Sequence, residues 1–399
     1  MGSGLVTSAY GQLDPDPGIG RLQLRVRTTP TCSTNRRRIR MRGRVSIQNR
    51  RRRATCVTTV SIVSALTLVA CGSASAEPAE PSGDSLRIVL GAQPHASQIP
   101  LVYGVDRYGG DFGLALSVDS NVMKFDDHTN AVQTLLGGEA QVMATSFSAI
   151  LDARERGEDV KVFCPYVSMD DFVLAGANGV NNASQLFEPS TRVGIDSPGG
   201  AGAIVLNALL SGIGEHRDIH EIPNQQIIES SSARTVAWAS GELDATVIHE
   251  PQYDGAQASV DRPVLIATLY ENAPGFIKVA QAARTDWLAQ NGELAARYCA
   301  TTLRAMKTLK SDFALYQSAV DEYVETPPSE ESLRELFALI QRYPFWTDDG
   351  GLSDNDVKFM IDIANESGVL TQPMNAADVV DRQTLSRAVE LANMPTGSQ

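Results

Sequence analysis

The 399-residue sequence is poor in cysteine and in aromatics, and it has no long apolar run. Five Cys are too few for a disulfide scaffold, and no Cys-x-x-Cys pair marks a metal or redox centre. No apolar run reaches the roughly 18 residues of a membrane-spanning helix. There is no Gly-x-Ser-x-Gly elbow, and no Gly-Lys-Ser/Thr to close a phosphate loop. The five His residues, 95, 128, 216, 220 and 249, show no metal-ligand spacing in good context; His216 and His220 flank Arg217-Asp218 in a polar turn. No metal or cofactor is expected. Lysine is missing from the first 70 residues, whose 13 Arg against Asp14 and Asp16 give a formal charge of +11. The other 329 residues carry 21 basic and 45 acidic side chains, a formal −24. So acidic a body, with no basic stripe, would repel phosphate backbones, which excludes nucleic acid as a partner.

What is present begins with an Arg-rich front. Arg42, Arg44 and Arg50 to Arg53 form a basic region, and Val57 to Ala70 a short apolar one, ending in Leu68-Val69-Ala70-Cys71. Residues 41–70 therefore read as an export signal. They resemble a bacterial lipoprotein signal, whose four-residue box ends in a Cys that takes a diacylglycerol and becomes the mature N-terminus. That resemblance implies lipidation at Cys71 and a place on the extracytoplasmic face of the cell membrane. Cleavage at Ala74-Ser75-Ala76, with Cys71 incidental, is the alternative, and Sec or twin-arginine export stays open. Residues 1–40 read as a doubtful upstream extension before Met41, and 71–84 as a flexible tether.

From residue 85 the pattern is α/β. Leu86 to Leu90, Leu114 to Val118, Val142 to Ala144 and Val160 to Val167 read as strands, and Thr129 to Leu136 as a helix stopped at Gly137. Strands alternating with helices predict mostly parallel sheets. The stretch Leu136-Gly-Gly-Glu-Ala-Gln-Val-Met-Ala144 returns as Ala239-Ser-Gly-Glu-Leu-Asp-Ala-Thr-Val247, and Leu86-Arg-Ile-Val as Thr191-Arg-Val-Gly. Two echoes at offsets of 103 and 105 residues predict two similar lobes. The first spans 85–176 and the second 177–260, with 261–399 returning to the first and adding helices. In that last third, Leu333, Leu336, Phe337 and Ile340 make one core-facing stripe. Val357, Met360, Ile361 and Ala364, capped by Ser353, make another. Cys164 falls in a buried strand and Cys299 on a helix; their pairing is left open.

Ser197-Pro-Gly-Gly-Ala-Gly-Ala203 follows one strand and opens a helix, so free backbone N–H groups at Gly200, Ala201 and Gly202 would favour an anionic group. The same strand edge carries Gln93 and His95, Ser146 and Phe147, and His249, Glu250 and Tyr253, where open α/β sheets place ligands.

The body resembles the solute-binding proteins of ABC importers, in the branch with sulfonate, taurine, nitrate and thiamine-pyrimidine receptors. The residues that carry this are Ile99-Pro-Leu-Val-Tyr-Gly-Val-Asp-Arg-Tyr-Gly109, Leu135 to Met143, Gly157 to Val162, Ala239 to Ala245 with His249-Glu-Pro251, and Gly351 to Asp381. Gln141 stands where the family has Asp, and Gly104 where it has Ala. The resemblance implies a two-lobed periplasmic-binding-protein fold of type II and a non-enzymatic receptor. The receptor would be a monomer that closes by a hinge on a small organic solute and docks on membrane permease subunits. The solute would touch Gln93, His95, Ser146, Phe147, Ser197, Gly200, Ala201, Gly202, His249, Glu250 and Tyr253. No Lys or Arg stands in those loops, so a pyrimidine stacked on Phe147 or Tyr253 fits at least as well as a sulfonate. The same fold also hosts pyrimidine-synthase and menaquinone-pathway enzymes, and a ligand sensor would look alike.

Overall fold

A computed structural model describes residues 86–125 and 127–395. The upstream extension, the export signal, Cys71 and the tether lie outside the described residues.

The chain opens with β1 (Ile88–Leu90), α1 (Ile99–Tyr108), α2 (Val118–Asn121), β2 (Val122–Lys124), α3 (His128–Leu136), β3 (Val142–Ser146), α4 (Phe147–Glu155) and β4 (Val160–Val167). It crosses to β5 (Phe172–Gly176), β6 (Val193–Ile195), α5 (Ala201–Gly212), β7 (Gln225–Ile227), α6 (Ser231–Ala239), β8 (Ala245–His249), α7 (Glu250–Ala256), β9 (Val264–Thr268) and α8 (Leu269–Asn272). It returns through β10 (Val279–Arg284) and ends in α9 (Thr285–Ser311), α10 (Phe313–Tyr323), α11 (Glu330–Arg342), α12 (Asp354–Glu366), α13 (Ala376–Val379) and α14 (Arg382–Ala392).

Two five-stranded sheets result, ordered β2-β1-β3-β10-β4 and β7-β6-β8-β5-β9. In each, four strands run one way and the strand that enters from the other lobe runs against them. The alternation of strand and helix thus gives mostly parallel sheets, and each lobe adds one reversed strand. The sequence echo is structural: β1 and β6 hold equivalent places, as do β3 and β8. Gly138 and Gly241, 103 residues apart, turn the chain at φ 75° and 78°, a conformation that favours glycine.

Three expectations need correction. Leu114 to Val118 is a loop running into α2, because Ser117 caps that helix by accepting from Ser120 N at 3.3 Å; the edge strand is β2 instead. The lobe boundaries also shift. β5 pairs with β8 and β9, so the second lobe's strands run from 172 to 268, not from 177 to 260. Finally, α12 is not only a first-lobe helix, since it packs on α4 of the first lobe and α5 of the second.

Cys164 in β4 and Cys299 in α9 are joined by a disulfide, with Cα atoms 5.6 Å apart. Gly104 has a packing reason. A Cβ there would meet the Thr301 carbonyl oxygen at 2.6 Å, so the close crossing of α1 on α9 leaves no room for the alanine of the resembled family.

Candidate functional site

Two segments cross between the lobes. Residues 168–171 link β4 to β5, and residues 269–278 link β9 to β10. Between the lobes, beside these crossings, lies a cavity of about 640 Å³. That volume suits a small organic molecule.

Its walls differ in chemistry. The first lobe supplies Asp127, His128, Thr129, Ser146, Ser148 and Asp152. The second supplies Gly199, Ala201, Ile204 and Val205. The crossings add Asp170, Phe172 and Phe276 to Val279, and the C-terminal helices add Met360, Gly368 and Val369. One wall is polar; the others are mainly apolar.

Each of the four charged residues in this lining is held by the protein itself. Asp127 caps α3 and accepts from Thr129 N at 2.6 Å, which holds its carboxyl below the usual aspartate range. Asp152 pairs with Arg156 at 2.5 Å. The Lys278 ammonium sits on Asp170 Oδ2 and joins the two crossings. Burial alone would raise the Asp170 pKa, but Lys278 and then the His249 imidazole outweigh it and hold the group ionised. Asp171 accepts from His249 Nδ1 at 2.5 Å. Burial lowers the His249 pKa, but that bond and the nearby carboxylates more than reverse it, so the net shift is upward. Phe172 stacks on the His249 ring, centroids 4.0 Å apart. His95 is an exposed residue 3.5 Å from Lys278 Nζ; partial desolvation and then that ammonium shift its pKa downward. His128 is lowered for the same two reasons, and its Nδ1 accepts from Ser146 N at 3.2 Å.

Asp170, Asp171 and His249 offer ligand atoms within 4.8 Å of one another, as a metal site would. The Lys278 ammonium already neutralises Asp170 there and would repel a second cation.

The sequence-derived residues divide into three groups. Ser146 and Ala201 line the cavity, and Ser146 also caps α4. His95 and His249 belong to the charged cluster beside it. The remainder are placed elsewhere. Phe147 is fully buried in the first lobe's core, and Tyr253 stacks on Trp238 in a second-lobe core, so neither ring is free to stack on a solute. Glu250 accepts from Tyr270 Oη at 2.9 Å, and Gln93 is an exposed loop residue outside the cavity lining.

The Gly-rich start of α5 is also not the open anion cradle that its sequence suggests. Asp196 takes three of its amides, accepting from Ser197 N and Gly202 N at 2.8 Å and from Ala203 N at 3.1 Å, and Gly200 N bonds Ser197 O. A carboxylate already occupies the positive end of this helix.

Sequence reasoning missed Asp170, Asp171, Phe172 and Lys278. The signal was there: an acidic doublet between two apolar strands, and one Lys inside Gly275-Phe-Ile-Lys-Val279.

Neither a family model nor a curated protein matches the chain. Solved structures do. One is the ligand-binding component of an ABC-type import system from Staphylococcus aureus with zinc bound, at TM-score 0.56 and 12% identity over 76% of this chain and 99% of that one. Another is the periplasmic aliphatic sulphonate binding protein SsuA from Escherichia coli, at TM-score 0.57 and 13% identity over 75% and 92%. A third is the periplasmic nitrate-binding protein NrtA from Synechocystis PCC 6803, at 0.55 and 13% over 78% and 90%. At these identities the likeness establishes the fold: this is an α/β protein with the two-lobed periplasmic-binding-protein architecture.

Proposed function

We propose that the chain is an extracytoplasmic receptor of an ABC importer, closing its two lobes on a small, uncharged organic solute. The observation that carries this is the interlobe cavity, whose charged residues are all internally paired. A sulfonate or nitrate would need a free cation or a cluster of free helix-start amides, and Lys278 and the α5-start amides of Gly202 and Ala203 are already taken. A heteroaromatic solute of the thiamine-pyrimidine kind suits the cavity better. Its polar edge would meet Thr129, Ser146 and Ser148, and its rings Phe172, Phe276 and Ile204.

The receptor works as a monomer, makes no bond, and hands its solute to membrane permease subunits. Lipid on Cys71 anchors it. A buried disulfide supports export, because such bonds persist in oxidising compartments. No helix among the described residues is long and apolar enough to cross a membrane.

Native mass spectrometry of protein purified without refolding tests the reading by naming any retained solute. A thermal-shift screen with alkanesulfonates and aminopyrimidines tests the ligand class: stabilisation by alkanesulfonates alone would sink the uncharged-solute reading.

A further inference from the structure

The C-terminal segment that closes one side of the cavity is built on the first lobe at both ends. Before α12, Trp346 Nε1 donates to Ser97 O of the first lobe at 2.7 Å, and Ser168 N of the adjoining crossing donates to Phe345 O. After it, Val380 bridges to Val162 in β4, Asp381 N donates to Val162 O at 2.7 Å, and α14 packs along α9. Thr371 N donates to Glu155 Oε1 of α4 at 3.0 Å. Any hinge motion therefore carries α12 with the first lobe.

Yet the far end of α12 is bonded to the second lobe. Asn207 Nδ2, on α5, donates to Ser367 Oγ at 2.9 Å, and both residues are at most 2% exposed. Asn207 is also held from its own side, since its Oδ1 accepts from Ile219 N at 2.9 Å. The Gly199 turn lies against the same stretch: a Cβ there would sit 3.6 Å from Ser367 O and 3.8 Å from Val369 Cγ2. Met360 and Val369, on this segment, face the cavity.

We infer that Ser367 and Asn207 are positioning residues for solute capture, a latch that holds the solute-free chain in the closed arrangement described here. Through it the segment 360–369 becomes a third, apolar wall of the binding site. The physics follows from burial. In an open molecule Asn207 Nδ2 and Ser367 Oγ meet water; on closure both lose it and bond each other. Removing the hydroxyl leaves Asn207 Nδ2 buried without that partner in the closed state alone, so the cost falls on closure. The inference rests on the receptor reading for its purpose but not for its test, which uses no solute.

The test is hydrogen exchange on the solute-free full chain, comparing Ser367→Ala and Ser367→Thr. For Ser367→Ala we expect amides at 199–207 and at 367–371 to exchange about 5–100-fold faster, together. Amides of β4 and α14 should stay unchanged, and Ser367→Thr, which keeps the hydroxyl, should stay near the wild-type rate. Faster exchange confined to 367–371, or no change, overturns the latch. Faster exchange that extends into β4 and α14 overturns it as well, because Ser367 would then be a strut of the first lobe.

Discussion

The two lobes share one topology, but the post that joins the first strand to the third is built differently in each. In the second lobe, Asp244 accepts from Arg192 N and Nε at 2.9 Å and from Nη2 at 2.7 Å, and Asn178 adds a further bond at 2.8 Å. The equivalent residue in the first lobe is Gln141. Its Oε1 accepts from Arg87 N at 2.9 Å, while the Arg87 guanidinium turns to Gly138 O instead. Both posts satisfy the same backbone N–H; only the second carries an ion pair. The first lobe has another fastening, the Cys164–Cys299 disulfide, which ties its edge strand to α9. One architecture can therefore be closed electrostatically or covalently. The departure of Gln141 from the resembled family's Asp bears on stability rather than on the ligand.

This contrast can be tested by choosing where to cut. The largest effect is expected at the joint both lobes share. Lys278→Met leaves Asp170 buried and unpaired, and should cost about 3–5 kcal/mol in denaturant unfolding, with Lys278→Met/Asp170→Leu recovering much of it. No recovery in the double variant would show that the pair is not what holds the crossings together. Next comes the disulfide. Removing it as Cys164→Ala/Cys299→Ala should cost about 2–4 kcal/mol, and hydrogen exchange should rise in the first lobe and not in β6 or β8.

Smaller still, Asp244→Asn should cost about 1–3 kcal/mol and loosen the second lobe alone. The same post gives the second lobe an acid-sensitive joint. Burial raises the Asp244 pKa, but its bonds to Arg192 and Asn178 more than reverse that, and the net shift is downward from 3.8. A depressed carboxylate adds stability that is present above its unfolded value and lost as pH falls through the folded value. Local opening of β6 and β8, read from exchange corrected for its intrinsic pH dependence, should therefore rise below about pH 4, and Asp244→Asn should flatten that rise. The smallest effect is the reverse substitution. Gln141→Asp should stabilise the first lobe by less than about 1 kcal/mol, a gain that salt removes.

Much of this fold was legible in the sequence, because periodicity and echoes report backbone structure. β4 and the cap of α12 fall where the apolar run and Ser353 put them. The site was less legible. Its charges sit on the crossings, where Asp170 and Lys278 lie 108 positions apart and meet only because two strands enter foreign sheets. The Gly-rich turn misled for a related reason: sequence shows that amides are free of helical partners, but not that Asp196 folds back onto them. Phe147 and Tyr253 misled because an aromatic at a strand end serves a core as readily as a ligand.

The reversed strands also set an order of assembly. The second lobe's sheet is complete once residues 172–268 exist, whereas the first lobe's sheet stays split between β3 and β4 until β10 arrives. A chain emerging N-terminus first can finish the later lobe before the earlier one. The first lobe waits as two unjoined halves with open strand edges, and its closing contacts span more than a hundred residues of chain. The slow step of refolding should then be the insertion of β10, the strand that also brings Lys278 to Asp170 and completes the cleft.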